Sequence, residues 1–158
     1  MMFKPRPKGL GRDNFLKLND REEVTGVFKG DIHTFKRHWT GQSSVECTGP
    51  ESCAVCANDP ENKPAFRFRV NFITTKDGQY VAKIFEGGGE LYDTLANLDR
   101  KFNLADTVVE ITRRGLKQNT KYDVLPLTNQ PISKEMRSKI DSVPPLALSA
   151  EESSDVPF

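Results

Sequence analysis

Three cysteines and two histidines are the side chains of this sequence best suited to chemistry. Cys47, Cys53 and Cys56 lie close together, with His33 and His38 just upstream. Thiolate and imidazole are donors that zinc accepts, and three Cys with one His form a closed tetrahedral site of the structural kind. The Cys53-x-x-Cys56 spacing follows a start with no apolar signal segment. It favours metal over a disulfide framework and implies a reducing, cytoplasmic compartment. His38 stands where a strand gives way to the cysteine segment, so its ring can turn towards the thiols. His33 lies mid-strand, where the sheet fixes the side its ring faces. The expected site is therefore His38, Cys47, Cys53 and Cys56 around a structural Zn2+, with His33 the less favoured fourth ligand.

A catalytic zinc is not expected. Nucleobase deaminases use a His-x-Glu with a later Pro-Cys-x-x-Cys. Here Thr34-Phe35 follows His33, Trp39-Thr40 follows His38, and Pro50 does not adjoin Cys53. Four protein ligands also leave no position for a reactive water. The chain reads as a non-enzyme.

A second group of side chains suits a polyanion. Unpaired nucleotides are held by cations for phosphates and aromatic faces for bases. Phe66, Phe68, Val70 and Phe72 alternate with Arg67, Arg69, Asn71 and Ile73, so the aromatic face packs inwards and Arg67 and Arg69 face out. If Tyr80, Ala82 and Ile84 of the next strand are core, Lys83 and Phe85 join that outward surface; in the opposite register Tyr80 does. Arg37 and Trp39 form another cation–aromatic pair beside the proposed ligand. Trp39 is the single Trp, equally suited to packing on the cysteine loop or stacking on a base. Arg113, Arg114 and Lys117 gather around a late turn. All 23 Lys and Arg precede Asp141, which with Glu151, Glu152 and Asp155 leaves an acidic end. A basic body with an acidic tail points to a polyanion that the tail can mimic.

The elements that must position these groups are mostly strands. Residues 1–13, holding Lys4, Arg6 and Lys8, read as a basic flexible arm. Strands are expected over Phe15–Leu18, Val24 to about Phe35, Phe66–Ile73, Gln79–Phe85, Thr107–Arg113 and Thr120–Leu127. Asp77-Gly78 marks a hairpin, Gly87-Gly88-Gly89 a break, and Leu91, Leu95, Leu98 and Phe102 one helical face. Residues 38–63 are Gly/Pro-punctuated and too long for a bare loop, so something must fold them. Residues 129–141 read as a short helix or linker, and 142–158 as a disordered acidic tail. No apolar run approaches a membrane span. Strands in this order, with a helix between the third and fourth, match a mainly β, five-stranded oligonucleotide-binding barrel carrying a zinc-loop insertion and occupying residues 14–128.

The ending Glu151-Glu152-Ser153-Ser154-Asp155-Val156-Pro157-Phe158 resembles the C-terminal tip of bacterial single-stranded DNA-binding proteins. The body resembles the phage-type members of that class, among them the helix-destabilising protein of T-even phages, which place one His and three Cys in such a barrel. The resemblance implies coating and protection of single-stranded DNA in replication, recombination and repair. It further implies that Glu151, Glu152, Asp155, Val156, Pro157 and Phe158 recruit replication or recombination proteins, inside a bacterial cell if the chain is phage-encoded. The arm Lys4–Lys8 sits where those proteins carry a segment for cooperative self-association on DNA. The competing reading is a zinc-stabilised adaptor, or a regulator that binds RNA or duplex.

Overall fold

The computed structural model describes residues 12–149; the basic arm before them and the acidic tip after them lie outside. In chain order the elements are β1 (Glu23–Trp39), β2 (Ser44–Glu46), α1 (Ala54–Asn58), β3 (Ala65–Lys76) and β4 (Gln79–Gly88). Then follow α2 (Gly89–Phe102), β5 (Val109–Arg114), β6 (Lys121–Pro126) and α3 (Lys134–Ser142). The strands form one antiparallel six-stranded sheet in the order β4-β3-β1-β5-β6, with β2 on the end of β1. The fold is mainly β. It gains a strand that was not expected, β2, and no ladder joins β4 to β6 among the described residues.

β1 runs past its expected end because it serves several partners. Its first part pairs with both β5 and β3, and its last residues with β3 and β2. The register shifts between Lys29 and His33, around Gly30 at φ +81°. Such a bulge bends a strand and lets one chain reach two ends of a sheet. The Asp77-Gly78 hairpin forms as expected, both residues at positive φ as a type I′ turn requires. Gly87 does not break β4. A Cβ there would sit 2.6 Å from Leu91 Cδ2 and 2.9 Å from Phe68 Cε1, so this glycine admits α2 against the sheet. The expected first strand shrinks to a lone parallel bridge, Phe15 to Ile84, with Leu16 N–H donating to Ile84 O at 2.8 Å.

Both faces of the sheet are covered. Phe28, Phe68, Val70, Phe72, Phe85 and Ile111 pack beneath Leu95 of α2, while Val27, Ile73 and Val108 pack against Ile140 of α3. Each such side chain contributes about 1.5–3 kcal/mol when fully buried. Beyond α3 the chain from Val143 to Ser149 packs on the sheet, where the sequence suggested the start of a flexible tail. Lys29 Nζ donates to the carbonyls of Ile140, Asp141 and Val143, neutralising the negative end of α3. The buried Asn71 side chain donates to Leu146 O at 3.0 Å and accepts from Leu146 N–H at 2.8 Å, as a neighbouring strand would. Leu148 is buried there as well.

Candidate metal centre and cationic groove

The metal-binding geometry begins at the end of β1. His38 is 1% exposed there, and β2 folds back so that Cys47 N–H donates to Lys36 O. Gly49, at φ +113°, turns the chain and accepts from Cys53 N–H at 2.9 Å. Cys53 is the N-cap of α1, and the first turn of that helix brings Cys56 round. The four ligand atoms of His38, Cys47, Cys53 and Cys56 all lie within 4.8 Å of one another. Cys47 Sγ is 3.6 Å from Cys56 Sγ, which is 3.4 Å from His38 Nε2. A tetrahedral zinc with its usual bond lengths separates ligand atoms by roughly 3.5–3.8 Å. The cluster is close enough to hold a metal ion.

The surroundings favour a cation. Hydrogen bonding from the Cys56 backbone lowers the Cys53 pKa to about 6. Burial pushes Cys56 up to about 11, helped by its two thiol neighbours, because adjacent thiolates repel in the absence of a counter-charge. Burial works against a charged His38, yet its contacts with Cys47 and Asn62 hold its pKa above the ordinary value. With its proton on Nδ1, His38 donates to Asn62 Oδ1 at 3.1 Å and turns Nε2 towards the sulfurs. Asn62 in turn donates to Trp39 O at 2.8 Å. Such an outer partner fixes the tautomer and plane of a ligating imidazole. His33 takes no part: its ring stacks on Phe35, and its buried Nε2 has no partner among the described residues.

No family model, curated protein or solved structure matches this chain.

The cationic residues do not share one surface. A groove of about 1020 Å³ runs between the end of β4 and the β5–β6 turn and gathers Arg37, Arg67, Arg113, Arg114 and Lys117. Lys121 and Tyr122, near that turn, also line it. Arg113 is engaged with the carbonyls of Leu18 and Gly115 and with Thr120 Oγ1, so it holds the turn in place. Arg114 is paired with Asp123 at 2.5 Å. Lys117 is exposed, at φ +52°. Trp39 lies outside the groove with 66% of its surface exposed, next to the metal cluster.

Three expectations change. Phe85, placed on the outward surface by the sequence reading, is 2% exposed and packs against Phe28, Phe68 and Tyr122. The register pairs it with Val70, on the core side, so Tyr80, Ala82 and Ile84 occupy the other face. Lys83 is separated from Arg67 and Arg69 for the same reason, and its Nζ donates to Asp13 O. Arg67 and Arg69 do leave the aromatic core, but they do not open freely to solvent. Both meet Glu86, at 3.0 and 2.7 Å, as does Arg37 at 3.3 Å. Arg69 lies 4.3 Å from the Phe35 ring centroid and donates to Leu148 O. Glu86, Asn62, Asn71 and Lys29 were not singled out from the sequence. The proposed tail contacts, Glu151 to Phe158, lie outside the described residues.

Proposed function

We propose that this chain is a non-enzymatic single-stranded DNA-binding protein in which a structural zinc shapes one side of the binding surface. The observation that carries the reading is the groove, where arginines from β1, β3 and β5 converge with Lys117. Strand order and helix placement support an oligonucleotide-binding fold, with β1, β3, β4, β5 and β6 as its five strands and α2 between the third and fourth. In that fold the loops after the first and fourth strands flank the ligand. Here those loops are the cysteine-bearing segment and the Gly115 turn. Phosphates would lie along Arg37, Arg67, Arg114 and Lys117. Trp39 offers an exposed face on which a base can stack, a contact worth about 1–3 kcal/mol.

The zinc would be held by His38, Cys47, Cys53 and Cys56 and would supply a rigid cross-link, since all four positions are taken by protein. The acidic end, from Glu151 to Phe158, is proposed as a docking peptide for replication or recombination proteins, its terminal Phe providing an apolar plug. The setting is a bacterial cytoplasm, with coating and protection of single strands as the role.

Titration of Trp39 fluorescence with oligo(dT), against duplex and RNA of equal length, tests the reading. Tighter binding of oligo(dT), weakening steeply with salt as counterions are released, is expected. A preference for duplex overturns the proposal, and a preference for RNA moves it to the neighbouring class.

A further inference from the structure

The arginines that meet Glu86 carry more charge than one carboxylate neutralises. Glu86 Oε1 accepts from Arg69 Nε, and Oε2 is shared between Arg67 Nη2 and Arg37 Nη1. A carboxylate offers about four acceptor positions, whereas three guanidinium groups bring about fifteen N–H donors. Arg67 Nε is shielded from solvent and has no acceptor among the described residues. Arg37, Arg67 and Glu86 line the groove; Arg69 does not. The side chains of Arg37 and Arg67 are 33% and 26% exposed, while those of Arg69 and Glu86 are 15% and 14% exposed. The cluster is thus graded, with a tightly held inner pair and two outer arginines that share one oxygen.

Resting on the single-strand reading, we infer that this cluster is a phosphodiester seat in which Glu86 is the resident counter-ion. A backbone phosphate takes the outer faces of Arg37 and Arg67 and displaces Glu86 Oε2, while Arg69 keeps Oε1. Arg37 and Arg67 are the contact residues, and Arg69 is a positioning residue. The arrangement orients two guanidinium planes before any ligand arrives, which lowers the ordering cost of binding. It also sets a threshold. An isolated small anion must compete with a tethered carboxylate, whereas a nucleic-acid strand brings several phosphates and gains elsewhere along the groove.

A structural ion pair and a counter-ion predict opposite signs for Glu86→Gln. As a counter-ion, its loss should tighten oligo(dT) binding about 5- to 10-fold at low salt. It should also steepen the dependence of log affinity on log salt by roughly 0.7, the value of one further single-strand phosphate contact. Adding Arg37→Gln to that variant should cancel both gains. Unchanged or weaker binding by Glu86→Gln overturns the seat, and so does a gain that survives in the double variant. Should Glu86→Gln not fold, Arg37→Gln alone is expected to weaken binding about 3- to 10-fold with unaltered zinc content. No effect of that change overturns the seat as well. A parent protein that binds no oligo(dT) overturns the single-strand reading itself, a result distinct from a parent that binds while its Glu86 variant fails to improve.

Discussion

The two charge clusters of this molecule are built in opposite ways. At the candidate metal centre, four electron-rich side chains converge, one thiol is pushed up to about 11, and a cation would complete the site. At Glu86, three cations converge on one anion that the fold already supplies. The first cluster is made almost wholly by one stretch of chain, from His38 to Cys56, with little sheet around it. The second joins β1, β3 and β4 within the sheet. A local cluster can order its own segment but depends on its ion. A cluster set in a sheet keeps its geometry without a ligand, because the strand ladders on either side hold it.

Metal loss should therefore have the largest effect of any change considered. Cys53→Ser is expected to abolish stoichiometric zinc by elemental analysis. It should lower Tm by on the order of 10 °C or more, since losing a metal that orders a segment is among the severe single changes. A variant that keeps its zinc, or melts like the parent, removes the metal centre from the comparison. Arg69→Leu should follow, at about 2–4 kcal/mol. It leaves the mostly buried Glu86 Oε1 without its donor, although Oε2 keeps Arg67 and Arg37, and it removes a donor to Leu148 O, while leaving zinc content untouched. Denaturant unfolding beside a zinc assay separates the two clusters cleanly.

The same contrast explains what could be read from the sequence. Cysteine spacing is a local signal, and the preference for His38 over His33 rested on a place near the end of β1, although the strand in fact continues through His38 to pair with β2. Asn62 had no such signal, because nothing in its neighbours marks it as the partner of an imidazole. The arginines were visible through the alternation in β3, but their counter-ion was not. The route to it lay in the hairpin. A two-residue turn pairs Lys76 with Gln79, and counting outwards from that pair places Arg69 opposite Glu86 and Val70 opposite Phe85. Alternation alone misled at Phe85 because both faces of the sheet are covered, one by α2 and the other by α3 and the chain after it. With two buried faces, period two no longer says which side is solvent. The packing of residues 143–149 was illegible for a related reason: Asn71 and Lys29, which hold that segment, look like ordinary polar strand residues.

Salt gives a finer test. Charge reversal at Arg67, as Arg67→Glu, should reduce oligo(dT) affinity about 10-fold or more at low ionic strength and flatten its salt dependence. The metal centre should be indifferent, with zinc retained and Trp39 emission unchanged. An affinity that survives this reversal would detach the Glu86 cluster from the binding surface.

The smallest expected effect concerns acid. Burial alone would raise the Glu86 pKa, but hydrogen bonds from Arg69 and Arg67 outweigh it and leave the folded value below the ordinary carboxylate range. A depressed folded value means that the pairing stabilises the protein at every pH above the unfolded carboxyl value of about 4.3. That contribution fades as pH falls from there through the lower folded value. Zinc held by the cysteines would also be lost on acidification, since protons compete with the metal for the thiolates. Comparing the parent with Glu86→Gln, each with zinc removed by chelation, isolates the carboxylate. The difference in unfolding free energy between the two should be constant near neutral pH and shrink below about pH 4. A difference that stays flat through that window would mean that Glu86 is no better paired in the fold than in the unfolded chain, and the two clusters would then not be electrostatic opposites.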